Sequence, residues 1–155
     1  MFARRGFSVQ SLTVGPSERP GSSRITMVVP GDQSVGIDNM RKQVLKLVAV
    51  EDMVDLKDRP SVHRELMLIK VRATAAQRGE IKDLADIFHG DIVDVSPTTV
   101  TIEMTGREQK IGAFQDLCEE YGVIEVARTG RVALARDSGV DTPFLEGRSR
   151  GKVML

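Results

Sequence analysis

Arg64-Glu65-Leu66-Met67-Leu68-Ile69-Lys70-Val71-Arg72-Ala73 is the stretch that decides the fold. Glu65 to Ala73 carries a strong apolar run and reads as a strand, and the chain beyond it keeps a legible order. Gln77 to Phe88 is predicted as a helix, with Ile81, Leu84, Ala85 and Phe88 along one side and Gly90 stopping it. Asp91 to Val95 and Thr99 to Met104 read as two strands joined across Ser96-Pro97-Thr98, a hairpin. Arg107 to Tyr121 is a second helix, turning Ile111, Phe114, Leu117, Cys118 and Tyr121 inward, and Gly122 ends it. Val123 to Ala135 is extended, with Thr129-Gly130 as the place where it breaks. From Arg136 onward Asp, Ser, Gly, Thr, Pro and Arg dominate, which predicts a mobile tail over 136–155.

Strand, helix, strand, strand, helix, strand is the βαββαβ order of the ferredoxin-like fold, an α+β architecture with an antiparallel sheet and two helices on one face. The chain upstream fits the same order with its beginning removed. Phe2-Ala3-Arg4-Arg5-Gly6-Phe7 reads as the last turn of a helix, with basic residues and a glycine where a helix C-terminus favours them. Val9, Leu12 and Val14 mark a strand, and Gly15 to Ser22 is a turn-rich loop. Ser23 to Pro30 is a second strand with Ile25, Met27 and Val29 on one face. Ser34 caps a helix whose stripe is Ile37, Met40, Val44 and Leu47, and Val48 to Val54 is a short closing strand. The expected organisation is therefore two tandem ferredoxin-like domains. The first, 1–56, lacks its first strand and most of its first helix; a linker spans 57–63; the second domain is 64–135.

Composition narrows the function classes. Lys+Arg and Asp+Glu both number 22 in 155 residues, so no long-range field draws the chain to nucleic acid or an anionic membrane. Aromatics make up 4%, and the strands from Glu65 onward carry none, which argues against base stacking on the sheet. No apolar run approaches the ~20 residues of a membrane span. The single cysteine, Cys118, excludes an intrachain disulfide and a multi-cysteine metal cluster, and its place on an apolar helical face predicts packing. His63 and His89 stand apart with no ligand spacing around them, so no metal site is assigned. Asp83 with Asp86 and Glu119 with Glu120 read as solvated helix faces, and Lys110 lacks a glycine-rich loop. No catalytic residue and no cofactor are assigned. What remains is a regulatory or interaction module: ferredoxin-like domains pair through exposed edges, and a small ligand in a shared cleft biases that pairing by differential affinity.

Several blocks carry a family likeness. Phe2 to Val14 resembles the end of the first helix and the second strand of the ACT domain in regulatory (small) subunits of acetohydroxyacid synthase, also called acetolactate synthase. Ser23 to Val29 is similar to that domain's third strand, and Lys42 to Val48 to its second helix running into the last strand. Arg64 to Val71 resembles the opening of the family's C-terminal domain; Ile87-Phe88 with Ile92 to Val95, and Glu125 to Gly130 with Val132 to Leu134, continue the match. The resemblance implies a non-catalytic subunit that binds the large, thiamine-diphosphate-dependent catalytic subunit. It would raise that subunit's activity and confer feedback inhibition by valine in branched-chain amino acid biosynthesis. It also implies a homodimer through the ACT domains, with the effector at their interface, near Ser8, Val9 and Gln10 in this chain. Ser8 stands at the family's usual Asn position, and the turn after the first strand is absent. Two readings stay open at Ser8, effector contact and a strand-start residue with local hydrogen bonds; for Val9 and Leu12 core packing stands beside effector contact. Likeness to photosynthetic-lineage subunits implies a chloroplast address, or the cytoplasm in a prokaryote. The rival function is a general amino-acid-sensing or dimerisation module of ACT type, not tied to this enzyme.

Overall fold

The computed structural model describes residues 10–29, 42–47, 49–56 and 59–138. The expected helix remnant at Phe2 to Phe7, the helical positions Ile37 and Met40, and most of the expected tail lie outside them.

The second half folds in the expected order. β3 (Ser61–Arg72), α1 (Gln77–Ile87), β4 (Asp91–Val95), β5 (Thr99–Gly106), α2 (Glu108–Cys118) and β6 (Val123–Arg128) form the βαββαβ unit, and β7 (Val132–Ala135) comes after it. The strand order is β4-β5-β3-β6, with β7 also pairing β3. β3 runs antiparallel to both β5 and β6, and β4 antiparallel to β5. This is the ferredoxin-like sheet, and the fold is α+β.

Side-chain alternation on β3 builds the core. Met67, Ile69 and Val71 point to one face and pair in register with Met104, Ile102 and Val100 of β5. Ile81 and Ala85 of α1 and Ile111, Phe114 and Cys118 of α2 close over that face, all fully buried or nearly so. Phe88 and Phe114 meet edge to face with ring centres 5.3 Å apart, a geometry in which the positive ring edge meets the negative face. Leu117, expected inward, is 44% exposed, because the buried stripe of α2 runs through Ile111, Phe114 and Cys118 and leaves its neighbour outside.

Local chemistry sets the boundaries. Thr74 and Gln77 cap each other ahead of α1: the Thr74 amide donates to Gln77 Oε1 at 3.0 Å and the Gln77 amide to Thr74 Oγ1 at 3.3 Å. At the other end the left-handed residue is His89 (φ 59°) rather than Gly90. The His89 amide donates to the Asp86 carbonyl and the Gly90 amide to the Ala85 carbonyl, a Schellman closure. Gly90 is needed for space instead: a Cβ there would sit 3.1 Å from Ile102 Cγ2 and Met104 Cε. Gly122, at φ +99°, does take the left-handed turn after α2. β3 begins at Ser61, four residues ahead of the expected Glu65, and takes in the last three residues of the expected linker, His63 among them.

In the first half, β1 (Ser11–Pro16) and β2 (Ser23–Val28) form an antiparallel hairpin, with Leu12 opposite Met27 and Val14 opposite Ile25. Residues 42–44 are helical and Val44 is buried. The closing strand expected over Val48 to Val54 is not formed in its described part: residues 49–56 are irregular, and Val48 lies outside the described residues. The hairpin is a two-stranded sheet with no third strand beside it among the described residues, and the Met53 amide bonds the adjacent Asp52 carboxylate at 2.7 Å instead of a ladder carbonyl. The described residues divide into two compact units. One joins residues 10–28 to residues 63–132; the other takes residues 29, 42–47, 49–56, 59–62 and 133–138.

Candidate functional site

Of the three residues expected to meet an effector, Gln10 alone is described; Ser8 and Val9 lie outside the described residues. Gln10 is exposed, and its amide donates to the Val28 carbonyl at 2.7 Å, which closes the open end of the hairpin. Its side chain is thereby held at the mouth of β1 facing water. Leu12, Val14 and Ile25 share one hairpin face and are 56%, 60% and 56% exposed. Of the two readings open for Leu12, core packing does not match this exposure. The opposite face of β1 presents Ser11 and Thr13, both half-buried.

That polar face meets the second half at one end of its sheet, where the best-built polar cluster of the described chain lies. Glu65 opens the inward-facing set of β3 and is 5% exposed. Arg128, the last residue of β6, clamps its carboxylate: Nε donates to Oε1 at 2.5 Å and an Nη to Oε2 at 3.2 Å. The other Nη of Arg128 donates to Gln115 Oε1 on α2 at 3.3 Å. The hydrogen bond to Glu65 holds the Arg128 guanidinium charged to a higher pH than usual. Next to it Arg131 donates to Glu108 in the first turn of α2, and that hydrogen bond keeps the Glu108 carboxyl below its ordinary range. A buried carboxylate held by a two-pronged guanidinium fixes geometry; it leaves neither group free for acid–base work.

Sequence reasoning misses Glu65. The signal is present: it stands two residues before Met67, so strand alternation puts it on the core face. A carboxylate there demands a cation, and Arg128 is opposite Met67 in the β3–β6 register.

The remaining chemistry-bearing groups are separate. Cys118 is fully buried, and burial pushes its thiol up to about 12, which suppresses the thiolate that reactivity requires. Asp83, Asp86, Glu119 and Glu120 lie away from the core, and Asp86 pairs with Lys82 at 3.1 Å. Lys110 donates to the Thr105 carbonyl. Among the described residues no three His, Cys, Asp or Glu side chains converge as metal ligands, and no helix is long and apolar enough to cross a membrane.

Two families match the chain in sequence. One described as an AHAS small subunit-like ACT domain covers residues 1–52, and one described as the small subunit of acetolactate synthase covers residues 64–137. A probable acetolactate synthase small subunit of Archaeoglobus fulgidus is 48% identical over 136 residues, 88% of this chain and 84% of that protein. The chloroplastic acetolactate synthase small subunit 2 of Arabidopsis thaliana is 47% identical over 148 residues, 96% of this chain, which spans 31% of the plant protein's length. The crystal structure of the acetolactate synthase small subunit from Thermotoga maritima superposes with a TM-score of 0.79 at 45% identity, covering 87% of this chain and 84% of that one.

Proposed function

The chain belongs to the family of acetolactate synthase small subunits, and we propose that it is the non-catalytic regulatory partner of a thiamine-diphosphate-dependent catalytic subunit. In this reading it raises that subunit's activity and makes it answer to valine, the end product of the branched-chain pathway. The observation that carries the reading is the likeness across both halves, in the same order, to proteins named as small subunits. The likeness extends at similar identity to plant, archaeal and bacterial relatives, 47%, 48% and 42%. That breadth supports a role common to all three lineages; for a plastid-bearing source the address would be the chloroplast.

The division of labour is a matter of side-chain chemistry. Residues 1–56 form the ACT domain, pair with a second copy, and take the effector near Ser8, Val9 and Gln10. Gln10 stands exposed at the mouth of β1, with an amide side chain that both donates and accepts, as an amino acid's charged end requires. Residues 64–135 supply the packed core and a mixed-charge surface beside it. A ligand that binds one arrangement of the pair better than another shifts the assembly by its differential affinity, with no reactive group needed.

Size-exclusion chromatography of the purified chain with the catalytic subunit tests this. Co-elution as one complex, with isothermal calorimetry showing valine taken up, is the expected result. Separate elution at concentrations well above the micromolar range would overturn it. Valine-dependent self-association without binding to the catalytic subunit would favour a free-standing amino-acid-sensing module.

A further inference from the structure

Among the described residues, a small polar joint fastens the hairpin of the first half to the second half. Thr13 Oγ1 of β1 donates to the Thr129 carbonyl at 3.0 Å. Beside it Gly130 lies so close to β1 that a Cβ would fall 2.9 Å from Ser11 Cβ and 3.3 Å from Thr13 Oγ1, and Gly130 sits at φ +80°. Only glycine satisfies both the backbone angle and the gap. Ser11 Oγ is buried at this contact without a hydrogen-bond partner.

The turn that receives β1 is anchored on its other side. The Thr129 amide donates to the Leu66 carbonyl at 3.1 Å, and Thr129 Oγ1 accepts the Leu66 amide at 3.1 Å. Leu66 adjoins Glu65, Thr129 adjoins Arg128, and Arg128 reaches α2 through Gln115. A continuous path thus leads from β1 to α2, and its first step is the weakest: one hydroxyl bond, one tight glycine contact, one unsatisfied hydroxyl. A rigid network with a single weak, polar step is where two arrangements become available at small cost.

We propose that Thr13, Thr129 and Gly130 are positioning residues that relay effector occupancy at the start of β1 to the sheet and α2 of the second half. This rests on the functional reading above and specifies how its regulation travels. Gln10 directly precedes Ser11, so an effector that draws on Gln10 pulls on the strand that carries the joint. With the Thr13–Thr129 bond made, β1 holds the end of β6 and, through Arg128, α2; with it released, the two halves respond separately.

The test uses the full chain in complex with the catalytic subunit, carrying Gly130→Val, which forces β1 away, or Thr13→Val, which removes the hydroxyl and keeps the shape. Three readouts are taken: acetolactate formation against valine, valine binding by calorimetry, and amide hydrogen exchange with and without valine. In the unaltered complex valine is expected to change exchange over residues 10–16 and also over 128–132. In both variants valine binding stays within about twofold, while most of the inhibition seen at saturating valine is lost, as when coupling between two sites is broken and binding is kept. Thr13→Val alone decides the matter if Gly130→Val fails to fold. Inhibition unchanged in Thr13→Val, or valine-dependent exchange confined to residues 10–16, overturns the relay. An unaltered complex that binds valine neither by calorimetry nor by inhibition overturns the functional reading, and the relay with it.

Discussion

Replacing Arg128 by Met should unseat the second half more than any surface substitution. Glu65 is 5% exposed, and Arg128 contacts both of its carboxylate oxygens, at 2.5 and 3.2 Å, from a side chain that is itself 30% exposed. Met keeps the apolar stem and removes the charge, leaving a buried carboxylate without its guanidinium. Breaking a buried pair in this way costs about 3–5 kcal/mol; the partial exposure of Arg128 puts the expected loss near the lower end, about 3 kcal/mol. For a chain of this size that corresponds to a fall in Tm of about 10 °C. Thermal melting followed by circular dichroism reads it directly. Glu65→Gln combined with Arg128→Met removes the stranded charge, so the double variant should recover about 1–2 kcal/mol relative to Arg128→Met alone. A loss under about 1 kcal/mol for Arg128→Met, or a double variant no more stable than the single, would refute the view that this pair is held against desolvation.

Other outcomes rest on the same packing. Cys118 should resist thiol reagents in the folded chain at mildly alkaline pH and react on unfolding; its folded value of about 12 against an ordinary 9.0 means its protonated form adds stability below pH 9.0 that is lost as pH climbs toward 12. Alkaline melts of Cys118→Ala, with a smaller loss over that range than the unaltered chain, check the sign. Gly90→Ala should cost about 1–2 kcal/mol in urea unfolding, because Ile102 and Met104 must give way to the added methyl. Glu108 is held below its ordinary 4.5 by Arg131, so it contributes stability above that pH which fades as pH falls through the lowered value. Glu108→Gln should therefore flatten the acid limb of stability against pH and lower neutral stability by the same small amount, small because the pair is partly exposed.

Periodicity makes most of the second half legible. Met67, Ile69 and Val71 alternate cleanly, Ile81 with Ala85 and Ile111 with Phe114 and Cys118 recur at helical steps, and the structure buries all of them. The break expected at Thr129-Gly130 separates β6 from β7. Pattern fails where a local or tertiary effect competes with it. Glu65 is hidden because a charged residue at a strand start reads as outward, and only its distant partner Arg128 makes burial tolerable. Gly90 has the pattern of a helix cap, but His89 takes the left-handed angle while Gly90 serves close packing. Val48 to Val54 has the composition of a strand without a described neighbour to pair with. At the effector end, Ser8 and Val9 lie outside the described residues, and Gln10 is placed by likeness rather than by pattern.

Tuning of a separate enzyme, with no chemistry of its own, is the role proposed for this chain. The rate of acetolactate formation from pyruvate, measured for the chain alone, the catalytic subunit alone, and the two together, tests it most directly. The prediction is no product from the chain, a rate for the mixture above that of the catalytic subunit, and a fall in that rate when valine is added. Product from the chain alone, or a mixture no faster than the catalytic subunit by itself, would contradict it.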